Sequence, residues 1–135
     1  MGLAERRAIK DFQDNHLAKL QAEINKAAGF DVPLEVNWDQ LAVEGSSHLY
    51  IEAWPEIFFK PVIEALSQIG RDDMGKDALK TGLKKIEFRN ASGYYSPTYA
   101  ITFESGTLKI DHELSNVGDT SDRTKTAIEL MEKSL

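Results

Sequence analysis

The residues of this chain that could transfer protons or bind metal are its three histidines and their acidic neighbours. Asp111, His112 and Glu113 are adjacent, but side chains alternate along a strand, so His112 should face away from both acids. The three cannot readily meet on one ligand. We predict that His112 lies at the edge of the core, bonded to Tyr99 or to a backbone group, with a catalytic role as the alternative.

His48 and Glu52 are spaced so that they share a face in a helix or in a strand, and they could bind a metal or relay a proton. Two side chains do not make a site, so we interpret them as a solvated pair. His16 falls on an apolar helical stripe and should be partly buried. The sequence therefore predicts no catalytic residue, no metal site and no cofactor.

Motifs of the common enzyme classes are missing from the sequence. There is no phosphate-binding P-loop, no dinucleotide fingerprint, no zinc-protease helix and no nucleophile elbow. The chain has no cysteine, which removes disulfides, thiolate catalysis and cysteine-bound zinc. No motif is specific enough to assign a family.

The segment from Asn90 to Pro97 is the most suggestive stretch, because it places Tyr94 and Tyr95 among Ser, Gly and Pro between two predicted strands. Exposed tyrosines are favoured where proteins grip other molecules. The alternative is a loop whose tyrosines fold back onto the sheet.

Charge is unevenly distributed. The net charge of −6 argues against binding to nucleic acid, which requires clustered Lys and Arg. Between Ala27 and Phe59 there is no Lys or Arg, and six acids occur there, namely Asp31, Glu35, Asp39, Glu44, Glu52 and Glu56. This interval is either a docking surface for a basic partner or simply a solubilising surface.

These observations lead to two functional hypotheses. The first is a small acidic binding module of the cytoplasm that engages a protein partner with a basic surface, as an inhibitor, immunity-type or adaptor protein would. Its predicted partner-binding residues are Glu35, Asp39, Glu44, Glu52, Tyr94 and Tyr95. The second is a small enzyme or ligand-binding protein with a pocket formed by His112, Tyr99, His48 and Glu52. Membership of a larger assembly is a third, weaker possibility.

The elements that must position these residues follow from periodicity. The 135 residues fit a single domain, residues 1–135. Helical spacing predicts a helix over 3–28, a short one from Asp72 or Asp73 to Thr81 with Met74 inward, and a last one after Asp119. Alternation predicts strands over 33–38, 84–89, 99–104 and 107–114. The predicted fold is α+β, with an antiparallel β-meander over about 84–114, one earlier strand, and N-terminal, central and C-terminal helices.

The last two strands can be registered against each other. With Ser105 and Gly106 as a two-residue turn, Phe103 faces Leu108, Ile101 faces Ile110 and Tyr99 faces His112. Every apolar residue then lies on one face, which supports this register.

The densest apolar run extends from Leu49 to Ile69, where Pro55 and Pro61 rule out one uninterrupted ideal helix. Residues 48–54 fit either a strand or a helix, and we favour the helix. Between Leu49 and Phe59 apolar side chains point in nearly every helical direction, which predicts the centre of the core. Four charged residues break the run and the N-terminus has no apolar signal, so we expect neither membrane spanning nor secretion.

Overall fold

The computed structural model describes residues 2–135, in which helices pack against a four-stranded sheet. The helices are α1 Leu3–Phe12, α2 Ala18–Ala28, α3 Trp38–Leu41, α4 Tyr50–Trp54, α5 Lys60–Ile69, α6 Asp73–Gly82, α7 Pro97–Ala100 and α8 Thr120–Ser134. The strands are β1 Leu34–Val36, β2 Lys85–Arg89, β3 Ile101–Glu104 and β4 Thr107–Asp111.

The predicted first helix is confirmed, because a π-helical turn, Gln13–Leu17, joins α1 to α2 without a break. Gly29 ends it with a left-handed backbone at φ 88°, a conformation that favours glycine. His16 lies in the π-helical turn, half-buried, with its ring 5.5 Å from that of Phe12.

The central segment is helical without interruption from the 3₁₀ turn Ser47–Leu49 to Ile69, which confirms the helix rather than the strand for residues 48–54. A second π-helical turn, Pro55–Phe59, lies between α4 and α5. The missing N–H groups of the two prolines interrupt regular α-helical hydrogen bonding, which accounts for the irregular turn. Trp54, Phe58 and Phe59 are fully buried, and both phenylalanine rings contact Phe88 of β2 at centroid distances of 5.3 and 5.0 Å.

The α+β class is confirmed, but the antiparallel meander is wrong. The strand order is β1-β2-β4-β3, and β2 pairs in parallel with both β1 and β4, while only β3 and β4 are antiparallel. The chain leaving β2 crosses the end of β4 and enters the sheet on its far side. The 90–100 connection is too long for a tight hairpin, so β2 and β3 need not be neighbours.

The hairpin of β3 and β4 has the predicted register, with Ile101 opposite Ile110 and Phe103 opposite Leu108. Ser105 and Gly106 both have positive φ angles, 51° and 82°, as a type I′ turn requires. Tyr99 does not face His112 within the ladder. It belongs to α7, a helical turn that begins at Pro97, and β4 ends at Asp111.

Helices α6 and α8 both contact α5. Asp72 caps α6, as predicted, by accepting a hydrogen bond from the Gly75 N–H at 2.8 Å. Met74 is not inward but 83% exposed. Helix α8 packs along α5 and ends beside Gly82. None of the helices in residues 2–135 combines the length and apolar composition that a bilayer crossing needs.

Candidate functional site

The three parallel strands end at one edge of the sheet, at Val36, Arg89 and Asp111. We call the segments that follow them, 37–49, 90–96 and 112–119, the edge loops. Ligands of parallel sheets commonly bind outside the carboxyl ends of the strands, because the connecting loops gather there. This edge is therefore the candidate functional site.

The first edge loop is anchored by side chains from neighbouring helices. The Tyr50 hydroxyl donates to the Val43 carbonyl at 2.6 Å, and the Trp54 indole N–H donates to the Leu41 carbonyl at 3.1 Å. Burial, together with the negative charge of Glu5, raises the pKa of Tyr50 to about 12, so it remains a donor. The Glu5 carboxylate in turn accepts the Gly45 N–H at 2.9 Å, which lowers the pKa of Glu5.

The second edge loop is held by Asp111. Its carboxylate accepts the backbone N–H groups of Ala91 and Ser92 at 2.9 and 3.1 Å and pairs with Arg89 at 3.2 Å. Burial opposes ionisation of Asp111, but these hydrogen bonds and the guanidinium outweigh it and lower the pKa of Asp111. A charged, nearly buried carboxylate thus fixes the path of the loop.

The third edge loop folds around Glu113. Its carboxylate accepts the N–H groups of Ser115 and Asn116 at 2.6 and 3.0 Å, which lower the pKa of Glu113 against the opposing effect of burial. Its backbone N–H donates to the Tyr94 carbonyl at 2.9 Å, and the Asn116 side-chain amide donates to the Tyr95 carbonyl at 2.9 Å. The third loop is therefore hydrogen-bonded to the backbone of the second at two consecutive residues.

Beneath these loops lies a buried pair, His112 and Arg123. His112 is 0% exposed, and its Nδ1 lies 2.5 Å from the Glu113 carbonyl oxygen, which can only accept a hydrogen bond, so Nδ1 carries the hydrogen. Nε2 therefore turns its lone pair toward the Arg123 guanidinium, 3.5 Å away. Burial lowers the pKa of His112, and the Arg123 cation lowers it further.

An apolar cavity of about 350 Å³ opens between the three edge loops, and we call it the edge cavity. The first loop supplies Val43 and Leu49, which are 38% and 39% exposed, and Leu114 lines it as a buried residue. The other lining residues are Ser46, Asn90, Gly93, Glu113 and Ser115.

The charge at this edge is of one sign. The edge loops contain no Lys or Arg and four acids, which are Asp39, Glu44, Glu113 and Asp119. Arg89, at the end of β2, is already paired with Asp111 and Glu87, and Arg123 is buried. The charged side chains of the edge loops are therefore all acidic, and Glu113 is the one among them that lines the edge cavity.

Four of the six predicted partner-binding residues belong to the edge loops, namely Asp39, Glu44, Tyr94 and Tyr95, and all four are exposed. Tyr94 stacks on Tyr99 at 6.2 Å, and Tyr95 is 70% exposed, so neither ring is folded into the core. Glu35 lies elsewhere, on β1, where it pairs with Lys85 at 2.8 Å. Glu52 is exposed on α4, beyond the first edge loop.

The four residues of the predicted pocket do not line the edge cavity. His112 is buried and bonded to a backbone carbonyl, whereas Tyr99 is 68% exposed. His48 and Glu52 are exposed. No cluster of three or more His, Asp or Glu that could hold a metal occurs within residues 2–135.

A second cavity of about 540 Å³ lies between the end of the second edge loop and the start of α8. Its lining is polar and comes from 95–98, Asn116, Asp119 and the first turns of α8, including Asp122, Lys125 and Glu129. Lys125 offsets part of the negative charge of this second cavity, whereas no Lys or Arg lines the edge cavity.

Sequence reasoning missed Asp111 as the anchor of the second loop and Arg123 as the partner of His112. An arginine among the apolar positions of the last helix was the available signal for Arg123. Comparisons with known protein families, curated proteins and solved structures find no match to this chain.

Proposed function

We propose that this protein is a cytoplasmic binding module that engages a protein partner with a basic surface through the edge loops. One observation carries the proposal: three loops that are distant in sequence converge at one edge with four acids, no Lys or Arg, and exposed tyrosines. A field of one sign accelerates encounter with a partner of the opposite sign and disfavours acidic competitors.

The rigidity of the loops supports a recognition role. Each loop is anchored by hydrogen bonds from buried or half-buried groups, Tyr50, Asp111 and Glu113, so the acids and tyrosines are displayed on a fixed backbone. Pre-ordered loops lose less conformational entropy on binding, and this leaves more of the contact energy as affinity.

The test is capture from a lysate of the native host with three baits of equal concentration. We expect the double reversal Asp39→Lys with Glu44→Lys to reduce recovery of the partner at least about tenfold relative to wild type, because two attractive charges become repulsive. Raising the ionic strength should weaken wild-type capture.

The matched control is Glu104→Lys with Glu132→Lys, which changes the net charge equally. Both acids are exposed and lie at the opposite end of the sheet, because β3 runs antiparallel to β4 and α8 ends beside Gly82. This control should capture as wild type does. Equal recovery by all three baits, or an equal loss in both variants, would refute recognition through the edge loops.

A further inference from the structure

We infer that the edge cavity receives one apolar side chain of the partner, from a segment in which that side chain is flanked by Lys or Arg. This inference rests on the proposed function, since it names what the same surface holds. It adds an apolar anchor to a recognition that charge alone would leave unspecific.

The volume and the walls of the cavity fit such an anchor. About 350 Å³ lies at the lower end of the range of about 300–1,000 Å³ found for ligand pockets. Val43 and Leu49 form apolar walls that remain partly exposed, and Gly93, with φ +67° and open space around it, leaves one side uncovered. An apolar group entering here would remove these walls from water.

Two polar groups of the rim are engaged in hydrogen bonds within the protein. The Glu113 carboxylate accepts two backbone N–H groups, and the Asn90 N–H donates to the Gln40 side chain at 3.3 Å. The larger part of the cavity wall is apolar, and Glu113 is the charged residue that lines it.

The negative charge of the rim determines which residues can flank the apolar anchor in the partner segment. Glu44 follows Val43 directly, Glu113 lines the cavity, and none of the three loops carries a Lys or Arg. Acidic residues beside the anchor would be repelled, and an anionic membrane surface would be repelled for the same reason. Lys or Arg beside the anchor complements the rim.

The experiment is a titration of the ¹⁵N-labelled protein at low salt with three blocked peptides, GKKLKKG, GKKGKKG and GEELEEG. We expect the leucine–lysine peptide to bind about tenfold more tightly than the glycine–lysine peptide, a difference that partial burial of one leucine side chain supplies. The largest amide chemical-shift changes that the leucine–lysine peptide causes should occur at Val43, Leu49, Gly93 and Leu114. The glutamate peptide should cause no shifts at the edge.

Two variants complete the test. Leu49→Ser should reduce the affinity for the leucine–lysine peptide to that for the glycine–lysine peptide. Met74→Ser, which changes an exposed apolar side chain on α6, should leave the affinity unchanged. The spectra of both variants also report whether each variant is folded.

The possible failures are distinguishable. Equal binding of both lysine peptides at the edge would overturn the apolar anchor and leave the recognition of basic partners standing. Equal binding of the leucine–lysine and glutamate peptides would overturn the requirement for flanking cations. Absence of edge shifts with either lysine peptide would overturn both this inference and the proposed function.

Discussion

At the scale of single residues, Arg123 and His112 form the most unusual contact of the protein. Arg123 is fully buried, and its guanidinium donates to the carbonyl oxygens of Asn116, Val117 and Glu56 rather than pairing with a carboxylate. Its Nε has no hydrogen-bond partner within residues 2–135. The cation therefore holds the start of the last helix to the central segment through backbone oxygens.

This contact predicts that stability depends on the protonation of His112. The groups whose charges act on its ring are Arg123, Glu113 and Asp119, and burial with the nearby guanidinium keeps the pKa of His112 below its ordinary value of 6.5. Just below pH 6.5 the unfolded chain binds a proton that the folded chain does not. The contribution of His112 to the free energy of unfolding is therefore fully present above this pH. It falls as the solution is acidified through and below pH 6.5, by at most about 1.4 kcal/mol per pH unit.

Urea unfolding measured between pH 5 and pH 8 tests this expectation. His112→Gln should lose this part of the pH dependence, whatever its effect on stability at neutral pH. His48→Gln, which changes an exposed histidine, should retain it. A wild-type profile that is flat across the interval would contradict the assignment of a neutral His112.

At the scale of elements, the Asp111 carboxylate joins the ends of the parallel strands β2 and β4 to the loop that follows β2. Asp111 closes β4, pairs with Arg89 at the end of β2, and accepts two N–H groups from the loop that leaves β2. The tyrosines that follow in the same loop are displayed on this support.

Asp111→Asn should lower the free energy of unfolding by about 2–3 kcal/mol, because charged hydrogen bonds are lost and the NH2 group of the amide cannot accept a hydrogen bond where the second carboxylate oxygen did. Glu87→Gln is the matched control, since Glu87 also contacts Arg89, at 3.6 Å, but is more exposed than Asp111. Its cost should stay below about 1 kcal/mol. Chemical denaturation of the two variants decides the point, and equal costs would show that Asp111 does not anchor the loop.

Elements built from local contacts could be predicted from the sequence, and those built from distant contacts could not. The hairpin register followed from two strands separated by two residues, and the first helix from a single apolar stripe. Tyr99, Ile101 and Phe103 alternate like one strand, yet Pro97 starts a helical turn that removes Tyr99 from it. The pairing of β2 with β4 depends on a crossing that no local pattern encodes.

At the scale of the whole molecule, the same limit applies to the candidate site. The acids of the first edge loop were visible as an interval without Lys or Arg. Glu113 and Asp119 join them because β1 and β4 both run parallel to β2, which brings the ends of all three strands to one edge. In the predicted meander β4 would also run in the direction of β2, so the second and third loops would share an edge there too. The direction of β1, and with it the place of the acids of the first loop, could not be predicted, because no local pattern fixes how this separate strand pairs.

The distribution of burial predicts unequal local stability. Ile86 and Leu108 are fully buried on the inner strands, whereas Ala91 and Ser92 are exposed and depend on one carboxylate. We expect the amides of Ala91 and Ser92 to exchange with deuterium on the order of 100-fold faster than those of Ile86 and Leu108, through local opening. Native-state exchange followed by NMR measures this, and uniform protection would contradict it.

The order of the strands also matters while the chain is being made. β4 leaves the ribosome after β1, β2 and β3, yet it occupies the position between β2 and β3. Until it emerges, the apolar residues Ile86 and Phe88 lie on a strand with one unpaired side, which is a template for pairing with other chains. In the nascent chain the sheet is therefore open at its middle until β4, the last of its strands in sequence, has emerged.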